Sequence, residues 1–201
     1  MDGADGSVEA DRPPLLVDVM CGSLARHLRF CGYDAVYALD RGIEADERLL
    51  AVATAKERVL VTRDRDLAAR AEGDAAVPGA MLLTERDVDG QLREVAAAGY
   101  PVALADEPRH CGACNGRLNR EVDASDDSVD GDVLTDGDVH ADRDDSDTRD
   151  VHADRDDQAD RDVLPDYVPD DAAPVWRCCD CGRRFWKGSH WDDVAERIAE
   201  I

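Results

Sequence analysis

Residues 59–67 read VLVTRDRDL. Val59 to Thr62 is a short run of β-branched and apolar residues, the spelling of a buried strand. It stops abruptly, and Arg63, Asp64, Arg65 and Asp66 follow at once. A compact set of charges therefore sits where a core strand leaves its sheet. In open α/β sheets, ligands bind outside the carboxyl ends of the strands. The stretch thus predicts a site as well as a fold. The competing explanation is local: Asp66 caps the helix that follows and Asp64 makes a turn, both roles that Asp favours.

The rest of the chain is consistent with such a sheet. Leu15 to Met20 reads as a strand interrupted only by Asp18. Gly22 to Cys31 reads as a helix with Leu24, Leu28 and Cys31 on one face and Arg26 and Arg29 directed elsewhere. Gly32 ends it. Asp34 to Leu39 and Ala80 to Thr84 are further strands. Ala45 to Glu57, with Leu49, Leu50 and Ala53 inward, and Val88 to Ala98 are further helices. Strands alternating with helices predict a parallel α/β sheet flanked by helices.

Then the composition shifts. Residues 121–163 hold 18 acids against four Arg, and DVHADRDD occurs twice, at 138–145 and 150–157. Asp-rich sequence with almost no large apolar residues cannot bury a core, so this stretch is expected to be a disordered acidic insertion. Residues 1–14, polar with Gly and a Pro pair, are expected to be a flexible tail. The whole chain of 201 residues carries a net charge of −23. Lys occurs only at 56 and 187. An Asp-rich, Lys-poor surface looks like that of proteins from concentrated salt. There the Debye length is only ~3 Å at 1 M, so an acidic balance does not exclude a polyanionic partner. The N-terminus lacks a basic region followed by an apolar stretch, and no apolar run approaches the ~20 residues of a membrane span. The expectation is a soluble, cytoplasmic protein.

Seven cysteines occur, four of them as Cys111-x-x-Cys114 and Cys178-x-x-Cys181. Two such pairs match a closed structural zinc site. The 63 residues between the pairs exceed the usual spacing, but without 121–163 about 20 remain. A small zinc ribbon built from 109–120 and 164–201 is predicted, ending in a helix at Asp192 to Ile201. Cys179 is a spare. Cys21 and Cys31 read as buried packing residues.

Asp18 is costly inside a strand unless paired or metal-bound. Asp46 shares the inward face of its helix with Leu49 and Leu50, although a first-turn acid is also favoured by the helix dipole. With Asp64 these form a candidate set of carboxylates. Asp40, Asp66 and Asp87 are weaker candidates. Carboxylates without His suit Mg²⁺ or Mn²⁺. Arg26, Arg63, Arg65, Arg183, Arg184 and Lys187 are candidate contacts for RNA phosphates. Those near Trp176, Phe185, Trp186 and Trp191 combine charge with stacking rings, as single-strand binding requires. The rings equally suit the small core of a ribbon.

LVDVMCGSLARHLRFCGYD, ADERLLAVA, VLVTRDRDL, CGACNGRL and VWRCCDCGRRFWKGSHW together resemble the mut-seven carboxy-terminal RNase family, over roughly residues 15–120 and 164–195. That resemblance implies a PIN-like nuclease domain over 15–108, followed by the ribbon. It implies that Asp18, Asp46 and Asp64 are catalytic metal-binding acids and that the four cysteines hold Zn²⁺. The acidic insertion departs from the family pattern. The function implied is metal-dependent RNA hydrolysis. The rivals are a non-catalytic RNA- or ribosome-binding module and a protein-interaction adaptor.

Overall fold

The computed structural model describes residues 12–121, 168–169, 172 and 174–201. Residues 1–11 of the expected tail and nearly all of the expected insertion lie outside the described residues; the last residues assigned to that tail belong to the fold instead, since Pro14 O accepts from the Val59 N–H at 3.0 Å.

Four strands form a parallel sheet in the order β2-β1-β3-β4. They are β1 (Leu15–Val17), β2 (Ala35–Tyr37), β3 (Val59–Thr62) and β4 (Ala80–Leu82). Leu16 of β1 registers with Val36 on one side and Leu60 on the other. Four helices connect and follow the strands: α1 (Gly22–Phe30), α2 (Asp46–Ala55), α3 (Arg65–Gly73) and α4 (Val88–Ala97). The alternation of side chains along a strand sorts the core into two layers. Leu15, Val17, Val59 and Val61 pack with Leu24 and Leu28 of α1 and Leu92 and Val95 of α4. Leu16 and Leu60 pack on the other face with Leu49 and Ala53 of α2 and Leu67 and Ala71 of α3. The sheet is thus flanked by helices, as the pattern predicts.

The ribbon is a three-stranded antiparallel sheet, order β5-β6-β7, of β5 (Leu118–Glu121), β6 (Val175–Cys178) and β7 (Arg184–Trp186). A last helix, α5 (Ser189–Ala199), follows it. Trp191, Val194 and Ile198 of α5 join the α1–α4 layer of the core. No described helix is long and apolar enough to cross a membrane.

Two expectations need correction. The first strand stops at Val17 rather than running to Met20. Asp18 accepts a hydrogen bond from the Val19 N–H at 2.6 Å, which turns the chain into a 3₁₀ turn over Val19–Cys21. Met20 is consequently exposed. Arg29 does not point away from the core: it is 3% exposed. Its guanidinium donates to Ala35 O, to Gly112 O and to Asp40, so its charge is buried with a partner for each of its three nitrogens.

Candidate functional site

The carboxyl edge of the parallel sheet gathers polar groups at the ends of its two central strands. β1 ends immediately before Asp18, and the Asp18 N–H continues the ladder by donating to Val61 O at 2.9 Å. β3 ends at Thr62, which is fully buried, and Asp64 lies two residues on. The Thr62 hydroxyl donates to Asp18 Oδ2 at 2.7 Å and accepts from the Asp64 N–H at 3.0 Å. Asp18 and Asp64 are therefore linked through one side chain. Asp18 is 4% exposed. It accepts two hydrogen bonds, with no ion pair to it among the described residues. Nothing in the sequence alone marks Thr62 as the link between the two acids, beyond its being a hydroxyl residue ending an otherwise apolar strand.

Asp64 is the N-cap of α3: its Oδ1 accepts from the N–H groups of Asp66 and Leu67. Asp66 lies in the first turn instead of capping. Asp64 Oδ2 has no hydrogen-bond partner among the described residues. Asp46 starts α2 but does not share the inward face of Leu49 as expected: its carboxylate is ion-paired with Arg70 of α3 at 3.1 Å, both side chains 42% exposed. Asp40 sits by Arg29, and Asp87 caps α4 through the Gly90 N–H. Next to this edge, Tyr37 OH donates to Val19 O at 2.8 Å and holds the 3₁₀ turn. A Cβ on Gly22 would lie 2.8 Å from that ring, so a side chain there would have to push Tyr37 off its bond to Val19. Arg63 Nε is buried without a hydrogen-bond partner. Arg65 is exposed.

A second constellation is built by the ribbon. Cys111, Cys114, Cys178 and Cys181 place their sulfurs within 4.8 Å of one another, with Cys111–Cys181 at 3.7 Å and Cys114–Cys178 at 3.5 Å. A tetrahedral ion with Zn–S bonds of ~2.3 Å needs sulfurs about 3.8 Å apart, so the set fits zinc. Among the described residues this is the one group of three or more Cys, His, Asp or Glu drawn close enough to share an ion. Cys179 is exposed and outside it. Gly116 is required here, because a Cβ would lie 2.8 Å from Cys178 Sγ and from the Asp180 carboxylate. Burial pushes the Cys114 thiol up to about 12 and raises Cys111 as well. A metal must therefore displace protons to bind.

The first knuckle is anchored in the sheet. Asn115, held at φ +67°, donates from Nδ2 to Asp34 at 2.5 Å, and its Oδ1 accepts from the Ala35 N–H at 3.0 Å. Of the candidate RNA contacts, Arg26 is exposed and bonds to His190 at 2.8 Å. Arg184 pairs with Glu121 at 2.8 Å, Arg183 is exposed, and Lys187 donates to Asp106 O and lies over the Trp176 and Trp191 rings. Trp176 and Trp191 are buried, whereas Phe185 and Trp186 are half-buried.

A family model described as the Mut7-C RNAse domain matches residues 13–141 and 147–198. No curated protein and no solved structure matches the chain.

Proposed function

This chain belongs to the Mut7-C RNAse domain family, and on that premise we propose that it is a ribonuclease dependent on Mg²⁺ or Mn²⁺. Asp18 and Asp64 hold the ion, and Asp46 is a third carboxylate. Residues 15–108 form the PIN-like nuclease part. Residues 109–120 and 164–201 form the zinc ribbon that helps to hold the RNA.

The observation that carries this reading is the link Asp18–Thr62–Asp64 across the ends of two adjacent parallel strands. It places hard oxygen donors where open α/β sheets bind ligands. Each carboxylate keeps lone pairs beyond those used in its hydrogen bonds, so the donor set fits a hard divalent cation. Bound there, such a cation activates water and offsets charge on the phosphoryl oxygens. The protein's own contribution is positional. Thr62 fixes the Asp18 carboxylate, the start of α3 fixes Asp64, and Arg63 and Arg65 flank them to draw in phosphates. Asp46, ion-paired with Arg70 at the start of α2, is the remaining carboxylate of this reading.

The decisive experiment compares wild type with Asp18→Asn and Asp64→Asn on RNA in Mn²⁺ and high salt. Each substitution keeps the shape and removes one charge. Cleavage should fall by orders of magnitude in both. The double variant should be little worse than either single one, as for groups acting as a unit. Full activity in Asp64→Asn overturns the assignment. The Arg70–Asp46 ion pair favours one second reading, an RNA-binding module without turnover. RNA binding with no cleavage by wild type would support it.

A further inference from the structure

Between α1, β7 and the start of α5 lies a cavity lined mainly by rings: Phe30, His110, Phe185, Trp186, His190 and Trp191. About 50 Å³ of it is open to the centre of a water molecule. One water needs ~10–15 Å³ by that measure and displaces ~30 Å³ of liquid, so the space holds roughly three to five waters, about 100–150 Å³, the scale of one nucleobase. The walls are set at right angles to one another. The Phe30 ring meets Trp191 edge-on at 5.7 Å and 85°, and meets His190 at 5.7 Å and 77°. At the edge of these rings the exposed Arg26 guanidinium lies 5.8 Å from the Phe30 centroid and bonds to His190.

We propose that this cavity is a nucleobase-binding site, filled by one unstacked base of a single-stranded RNA. Three features choose this occupant. The cavity is flat-walled and aromatic, and every base has a π-face that stacks on such rings. A fixed cation stands beside it in a chain whose net charge is −23, which suits a base that brings its phosphate along. The cavity is also joined to the carboxylate edge by one rigid element, since α1 begins four residues after Asp18 and carries Arg26 and Phe30. At 1.5 Å per residue, the nine residues of α1 span about 14 Å, so a strand crossing Asp18 and Asp64 reaches the cavity within a few nucleotides. Gly188 keeps the pocket wall in place, because a Cβ there would lie 2.7 Å from Trp186 Nε1.

This inference rests on the ribonuclease reading, and its test separates the two. Tryptophan fluorescence of the full chain is followed while adenosine or uridine 5′-monophosphate is added, with ribose 5-phosphate as the base-free control. A 12-nucleotide RNA is then scanned with one abasic position at a time, for both binding and cleavage. The expected result is a fluorescence change with the nucleotides only, and one abasic position that weakens binding about tenfold. Trp186→Leu should abolish that dependence on position. If Trp186→Leu does not fold, the abasic scan of the wild type decides alone. Cleavage of RNA with equal binding at every abasic position and no fluorescence response overturns the base site and leaves the nuclease reading standing. A nucleotide response without any RNA cleavage supports the base site and defeats the nuclease reading. Neither response defeats both.

Discussion

Thr62 gives its only hydroxyl proton to Asp18 at 2.7 Å while its oxygen accepts the Asp64 N–H at 3.0 Å. One β-branched residue thus fixes the distance between the ends of β1 and β3 on the side where the acids lie. Thr62→Val keeps the shape and removes both bonds. It leaves a buried carboxylate short of a donor, which costs ~1–3 kcal/mol. Urea denaturation should read that loss, and RNA cleavage in Mn²⁺ should fall with it.

The four sulfurs predict one Zn²⁺ per chain by elemental analysis of protein purified under reducing, chelator-free conditions. Cys114→Ser should lose the ion and unfold the ribbon, because metal binding and folding of such modules are coupled. Cys179→Ser should keep it, since that thiol lies outside the set. Protein that folds fully without zinc would contradict this.

Asn115 ties the first knuckle to the start of β2 with two hydrogen bonds. Asn115→Gly preserves the left-handed backbone and deletes only the side chain. Stability should drop by ~1–3 kcal/mol, the cost of stranding a buried Ala35 N–H, while zinc content stays at wild-type level. A variant that loses zinc would instead place the role of Asn115 in the metal site.

Buried thiols make the fold sensitive to alkali. Burial raises Cys21 to about 11 and Cys31 to about 12, from an ordinary value of 9.0. Both are protonated in the folded protein where the unfolded chain already ionises. Their contribution is therefore fully present below pH 9 and is lost as pH rises from 9 through 11 and 12. Thermal unfolding between pH 7 and 11 should show a falling midpoint above pH 9. Cys31→Ala should flatten that slope.

Arg70 holds Asp46 in an ion pair with both side chains 42% exposed. Pairs so exposed contribute less than ~1 kcal/mol, so Arg70→Gln should unfold at nearly the wild-type denaturant concentration. If Asp46 serves the ion, the same variant should bind Mn²⁺ more tightly, measured by calorimetry. Unchanged affinity would remove Asp46 from the site.

The parallel sheet was legible because its strands are short apolar runs bounded by charges, with helical periodicity between them. Val59–Thr62 emerged with the bounds read from sequence, and the two Cys-x-x-Cys pairs did converge. What stayed hidden were choices made by tertiary contacts. Nothing in RHLRF tells that Arg29 turns inward, because the carbonyls it satisfies belong to residues 35 and 112. Asp64 and Asp66 are equally good caps by type, and the geometry at the end of β3 selects the first. The strands β5–β7 leave no strand signature in the sequence. With RCCDCGRRFW mixing turns, charges and candidate ligands, there is no two-residue alternation to see.

Glu121 and Val175 are register partners across β5 and β6. The chain thus leaves the ribbon and returns to it at one spot, and doubling the length between adds only ~0.6 kcal/mol of closure entropy. Each side of that gap also carries one cysteine pair. A backbone cut anywhere between the two strands would turn the protein into two polypeptides sharing a single ion, each supplying two of its four ligands. With zinc bound, the ribbon would act as a clasp across that gap, two ligands from each side.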